Sequence, residues 1–269
     1  MVGDHVSFLR GEGADGLIQA AGSLSMSPGL SVYVAVYQLV LRHPVLVARQ
    51  LADVAAMAPG KLVLGIGLGG EDRHEAEVCG VDPATRGRRT DESLIVLSGL
   101  MRGESVTFAG REIQVSDAVI RPTPATPVPI TVGGRSDAAL ARAARAGDGW
   151  IGIWLSARRF AEAVQTVEEL AASSGRDRTG WAHALNVWCG LDTKHEAAQR
   201  NVARGMQGAY GLPYDSFARW SPAGTPADVA EFLDPYVAAG CTTFNLIPCG
   251  EDSDETIAMA AEVRALLRR

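Results

Sequence analysis

Three short stretches of the sequence combine residue types that can do chemistry. The first is Asp4-His5, in the opening MVGDHVSF. A histidine beside a carboxylate can pass a proton near neutral pH. Val2 and Gly3 ahead of it read as the end of a buried strand, and in parallel barrels the chemistry gathers at the carboxyl ends of strands. The structural alternative is that Asp4 caps the following loop and His5 is a satisfied wall residue. The second stretch, Gly65 to Glu77, spells GIGLGGEDRHEAE. Glycines at 65, 67, 69 and 70 let a backbone approach a flat ring closely. They do not make the GxGxxG of a dinucleotide turn, and no acidic residue follows at that motif's distance. His74-Glu75 is not HExxH, so metalloprotease chemistry has no support; His74 reads as a solvated loop residue. The third stretch is VGGRS, Val132 to Ser136. A strand ends there, Gly133 and Gly134 free backbone N–H groups, and a helix begins at Ser136. Such a helix start attracts phosphate, and Arg135 adds charge. The same glycines would also serve a plain strand-to-helix turn.

Other residues carry weaker signals. Arg86, Arg88 and Arg89 are expected on a solvated helix start with Asp91 and Glu92, a second anionic contact being the alternative. Trp150 and Trp154, in GWIGIW, could wall a substrate pocket or fill the core. Asn186 and Trp188, in LNVWC, point to one side by strand alternation. Asn245 lies within the apolar TTFNLIP and needs a partner or a pocket.

The elements that must position these residues follow from periodicity. Short apolar runs predict strands at Leu30–Val36, Lys61–Gly67, Val128–Gly134, Gly149–Trp154, His183–Leu191 and Thr242–Pro248, with a stub at residues 1–5. Helical spacing predicts helices over His43–Gly60 (Leu46, Val47, Leu51, Val54 and Ala55 inward) and Arg86–Gly103, the latter capped near Thr85. Further helices follow Ser136, Ser156 (Phe160, Val164, Val167 and Leu170 inward), Lys194, Thr225 and Asp254. Strands alternating with helices mean a parallel sheet, and strands without polar alternation mean that both faces are covered. Residues 101–128 break the rhythm. VTFAG and REIQV suggest a hairpin, and Pro122, Pro124, Pro127 and Pro129 follow. This is an insertion over one rim rather than a linker.

Bulk composition narrows the classes. The chain has 269 residues, 47% hydrophobic and 21% charged, which suits one large α/β domain. A net charge of −6 with only two lysines argues against nucleic acid or an anionic membrane as partner. No apolar stretch approaches the roughly 18–20 residues that span a bilayer, and no secretory signal is visible. Cys79, Cys189, Cys241 and Cys249 are scattered without a CxxC, so reduced thiols in a cytoplasmic protein are expected, with no metal site.

GDHV, RHP (Arg42–Pro44), LGIGLGGEDRHEAEVCGV (Leu64–Val81), the run from Arg86 to Glu92, PVPITVGGRS (Pro127–Ser136) and AGDGW (Ala146–Trp150) follow in this order. Together they resemble the bacterial luciferase-like flavin monooxygenases, specifically the branch that uses coenzyme F420, a deazaflavin. The resemblance covers the whole chain, and it is the order and spacing of the motifs that carry it. It implies an α/β fold of the TIM (β/α)8 type, a single domain over 1–269, with an insertion after the family's fourth strand where residues 101–128 lie. It also implies that GDH belongs to the second barrel strand and that the first strand and helix are lacking. Either the start codon is assigned too late, or the barrel has opened and a partner covers its edges. In the second case seven strands are expected, with a gap between Met1–Asp4 and Thr242–Pro248 and a homodimer or larger homo-oligomer masking it.

For the site, the resemblance implies His5 as an acid/base beside the deazaflavin C5, with Asp4 next to it and Glu75 at the family's acidic position. It implies a non-prolyl cis peptide with a bulge at Ala35-Val36, pressing on the ring, and Gly67 close by. It implies that Val132, Gly133, Gly134, Arg135 and Ser136 hold the cofactor's phosphate. Trp150, Trp154 and Asn245 are then candidates for a small-molecule substrate pocket. The expected activity is hydride transfer between F420 and a small organic substrate. The alternatives are an FMN-dependent monooxygenase of the same fold, and a non-catalytic barrel that binds a ligand or partner.

Overall fold

The computed structural model of the chain describes all residues except 10, 28, 70–71, 177–179, 212 and 268–269. It consists of two compact units, Met1–Trp150 with Leu170–Trp181, and Ile151–Glu169 with Ala182–Arg269.

The first unit opens with a parallel bridge, Val2 to Val34, in which Val2 N–H donates to the Tyr33 carbonyl at 2.9 Å. The predicted stub is thus a single bridge. His5 does not end a strand but begins an antiparallel hairpin of β1 (His5–Phe8) and β2 (Glu12–Ala14). Next comes α1 (Gly16–Met26), whose N-cap Asp15 accepts from the Leu17 and Ile18 N–H groups. Periodicity shows neither the hairpin nor this helix. The parallel layer is β3 (Val32–Tyr37), β4 (Leu62–Ile66) and β7 (Ile130–Gly133), paired in that order. Between β3 and β4 runs α2 (Pro44–Met57), with Pro44 in its first turn. Val47, Leu51, Val54 and Ala55 are buried as expected. Leu46 is not: it is 65% exposed, on the face it shares with Gln50, Asp53 and Met57.

After β4 come the six-residue α3 (Arg73–Val78) and α4 (Arg86–Met101). At the N-cap position of α4, Thr85 turns its hydroxyl to the Asp82 carbonyl instead of capping. The expected hairpin is present as β5 (Val106–Ala109) and β6 (Gln114–Ala118). The unit continues with α5 (Asp137–Ala146), N-capped by Ser136. Arg176 closes its far end, donating from Nη1 to the Ala144 and Gly147 carbonyls at 2.8 Å each, which satisfies acceptors a helix terminus leaves open.

The second unit takes up β8 (Trp150–Ile153) from Ile151 and continues through α6 (Ala157–Ser173), whose last turn belongs to the first unit. Phe160, Val164 and Val167 are buried, while Leu170 is exposed because the inward stripe passes through Ala171 instead. Next are β9 (His183–Leu191), α7 (His195–Tyr210), the two-residue β10 (Ala223–Gly224), α8 (Pro226–Ala238), β11 (Cys241–Cys249) and α9 (Ser253–Leu266). β9 is the centre, parallel to β8, β10 and β11. A capping box of Thr225 and Asp228 starts α8. Trp154, Trp188, Val202 and Met206 form an apolar cluster, joined by Tyr210 and Phe217. No helix among the described residues is long and apolar enough to cross a membrane.

Candidate functional site

In the first unit, Asp4 is buried and all its acceptor positions are taken. Oδ1 accepts from Gly16 N–H and from Arg42 Nη2, both at 2.9 Å. Oδ2 accepts from Gln38 N–H and from Arg42 Nη1, both at 2.8 Å. Arg42 also donates to Asp15 at 3.0 Å, and its guanidinium lies 4.5 Å from the centre of the Tyr37 ring. A bidentate Arg–carboxylate pair fixes geometry as well as charge. Asp4 therefore ties the chain ahead of His5 to β3 and to the start of α1.

Glu75 comes from α3, a short helix hidden in a glycine-rich stretch and capped by Asp72. It is 2% exposed. Oε1 accepts from Val6 N–H at 2.6 Å and Ser7 N–H at 3.2 Å. Oε2 lies 3.0 Å from His5 Nδ1 and accepts from Gln38 Nε2 at 2.9 Å. Burial pushes the Glu75 carboxyl up, but the hydrogen bonds from Gln38, His5, Val6 and Ser7 outweigh it and hold the group below its ordinary value. The His5 side chain is 32% exposed and its ring sits 4.2 Å from that of Phe8. The result is an ionised carboxylate on one ring nitrogen of a partly exposed histidine, an arrangement suited to proton exchange.

Within β3, two residues before Gln38, the Ala35-Val36 peptide is cis and the β3–β4 register shifts between Val34 and Tyr37, the bulge the family resemblance implies. Gly67 is needed locally, since any side chain there would run into Val36. Gly69 has φ +62° and packs against the Gln38 amide. Gly70 lies outside the described residues.

The Gly133–Ser136 loop joins β7 to α5. Gly134 has φ +119°, and a methyl group there would meet Ala139 Cβ at 2.7 Å, so the turn itself demands glycine. Its carbonyl accepts from the Trp150 indole N–H at 2.7 Å. Trp150 is fully buried and braces this loop from the core. Residues 134–136 are exposed. An exposed turn at the start of a ten-residue helix, with Arg135 in it, fits an anionic group, while Asp137 in the first turn opposes one.

Trp154 and Asn245 belong to the second unit. Trp154, at φ +50°, packs 4.4 Å from the Phe217 ring. Asn245 finds its partner in Asn186, donating to Oδ1 at 3.1 Å. The arginines of α4 depart from expectation. Arg86 donates to the Gly69 carbonyl, Arg89 to the Val40 carbonyl and Arg88 to Glu112. Asp91 instead pairs with Arg142 and Arg145. Glu92 is buried under the β5–β6 hairpin, accepting from the N–H groups of Arg111, Glu112 and Ile113. These groups brace loops rather than forming a solvated helix start. Among the described residues no cluster of His, Cys, Asp or Glu is suited to a metal, and the cysteines are free thiols.

Sequence reasoning missed Gln38 and gave Arg42 no role of its own. Arg42 does lie in the quoted RHP motif; Gln38 has no signal beyond following a strand.

A family model described as luciferase-like monooxygenase matches residues 1–237. An uncharacterised protein of Mycobacterium tuberculosis is 34% identical over 152 residues, 56% of this chain and 52% of that protein, so the chain spans about half the length of this relative. An F420-dependent glucose-6-phosphate dehydrogenase of Nakamurella multipartita is 29% identical over 245 residues, covering 82% of this chain and 72% of that one. Among solved structures, an F420-dependent secondary alcohol dehydrogenase in complex with an F420-acetone adduct superposes with a TM-score of 0.87 at 19% identity, over 100% of this chain and 89% of that chain. The last likeness establishes the α/β fold.

Proposed function

Starting from a chain that belongs to the luciferase-like monooxygenase family, we propose that it is an F420-dependent oxidoreductase acting on a small organic substrate. The observation that carries this reading is the buried Glu75 carboxylate on His5 Nδ1, in the same unit as the glycine loop. The F420-dependent relatives of Nakamurella multipartita and Kineococcus radiotolerans support the choice of cofactor.

Bound F420 would supply the hydride chemistry at its deazaflavin ring. The chain's residues have the remaining tasks. The Gly133–Ser136 backbone and Arg135 hold the anionic tail. Asp4 and Arg42 fix the approach of the chain to His5. Glu75 keeps a proton on Nδ1, and His5 exchanges the substrate proton at Nε2. Trp154 and Asn245 have partners within the second unit, in Phe217 and Asn186.

The test is titration of the purified chain with F420 and, separately, FMN, followed by fluorescence. Saturable binding of F420 and none of FMN is expected. Binding of FMN alone would turn the reading to an FMN-dependent monooxygenase of the same fold; one structural neighbour, the oxygenating constituent of a 3,6-diketocamphane monooxygenase, is in complex with FMN. With F420 bound, His5→Ala is expected to lower turnover roughly 10²–10⁴-fold, the usual worth of a general acid or base.

A further inference from the structure

The Gln38 amide touches three groups at once. Its Nε2 is 3.0 Å from the Asp4 carbonyl, 2.9 Å from Glu75 Oε2 and 2.9 Å from His5 Nδ1. An amide nitrogen has two hydrogens, so it can donate to only two of the three. The carbonyl and the carboxylate can only accept, whereas the imidazole nitrogen can do either. If Nδ1 accepted, its lone pair would face the Glu75 carboxylate at 3.0 Å, and one of the two oxygens would lose a full donor. If Nδ1 donates, every group is served. Nδ1–H goes to Glu75 Oε2, and the two amide hydrogens go to Glu75 and to Asp4. Turning the amide over would set its oxygen against two other oxygens.

We propose that Gln38 is a positioning residue that assigns the protons of the His5–Glu75 pair. Its donation keeps Glu75 a carboxylate, commits Nδ1 to that carboxylate, and leaves Nε2 as the one ring atom that exchanges a proton. The proposal rests on the reading of His5 as the proton carrier, but its structural content stands without turnover.

Glu75 is faced by His5 from β1 and, at the end of its own helix, by the Cys79 thiol, which burial and the Glu75 charge both push up. Asp4 and Arg42 pair with one another. Removing the Gln38 donor takes away one of the four hydrogen bonds that hold Glu75 below its ordinary value.

The experiment is nitrogen-15 and carbon-13 magnetic resonance on the full chain without cofactor, with labelled histidine and glutamate. In the parent, the neutral His5 ring should carry its proton on Nδ1. In Gln38→Met, similar in length but without the donor, the Glu75 carboxyl should titrate at higher pH than in the parent. In Gln38→Glu, two carboxyls share one proton across the same contact, and one of them should titrate higher still. A purely structural role would lower the melting temperature of both variants and leave the Glu75 titration in place. That outcome, or a parent ring protonated on Nε2, overturns the proposal. If the spectra agree but His5→Ala turns over at full rate, it is the catalytic reading that fails.

Discussion

Glu75 is fixed twice over, and that makes its amide variant informative. Oε1 takes two backbone N–H groups, from Val6 and Ser7. In Glu75→Gln the amide oxygen must keep that place, so the NH2 group turns toward His5 Nδ1, which the Gln38 amide already faces. Nδ1 can then only accept, and the ring proton moves to Nε2, removing the lone pair that would take up a proton. Glu75→Gln is expected to lower turnover roughly 10²–10⁴-fold while F420 affinity stays nearly intact, as read by steady-state rates beside a fluorescence titration. Full activity would relieve Glu75 of this role. His5 and Glu75 were legible in the sequence because a family pattern names both positions. Gln38 was not, because its importance arises only where three remote segments meet on one nitrogen. Asp4 was legible as a residue of the site, but not its saturation by Arg42, since a bidentate pair leaves no mark on local spacing.

Among the elements, the β5–β6 hairpin was readable from the runs VTFAG and REIQV, but what secures it was not. Glu92 looks in sequence like one more charge on a helix start. In the structure it is 9% exposed and receives three backbone N–H groups from the hairpin turn. In Glu92→Gln one of these donors must face an NH2 group. A loss of about 1–3 kcal/mol is expected in urea unfolding, the cost of an unmet buried donor. The Glu92 carboxyl is pushed up by burial but held below its ordinary 4.5 by the backbone donors and Arg88. Its contribution is therefore complete above pH 4.5 and declines as pH falls through its lower folded value. The parent should lose stability relative to Glu92→Gln across that acid window. At the β7–α5 turn, Arg135→Glu should weaken binding of a phosphate-bearing cofactor about tenfold or more, measured by titration. Unchanged affinity would remove the turn from the site. A change at Gly134 would test less, because φ +119° strains any other residue whatever the loop binds. Element types were legible wherever strands and helices alternate. Their faces were less so: Leu46 and Leu170 fall one position off stripes that Ala48 and Ala171 complete, and alanine gives a weak periodic signal. α3 escaped notice because six residues beside a glycine run make fewer than two turns.

Across the whole molecule, the alternation of strands and helices was enough to read the fold class from sequence, but the division into two units was not. Two of its three boundaries fall inside β8 and α6, and the third follows Trp181 in the loop before β9. The segment Leu170–Trp181 returns to the first unit after the second has begun, and Arg176 is its working part. Arg176 Nη1 joins the Ala144 and Gly147 carbonyls, and the guanidinium lies 4.9 Å from the centre of the Trp181 ring. Arg176→Ala is expected to cost about 0.5–1.5 kcal/mol and to speed hydrogen exchange in the last turn of α5 while leaving α2 protected. Equal protection of α5 in the variant would show that its end is held by something else. The same interleaving bears on the order of manufacture. A ribosome delivers β3, β4 and β7 in the sequence in which they pair, so each new strand meets a partner already made. The first unit nevertheless waits for its last piece until Trp181 has been translated, by which time Ile151–Glu169 of the second unit has already been made. During that interval the Ala144 and Gly147 carbonyls lack the Arg176 donor, and the nascent chain carries one unfinished unit and the beginning of another.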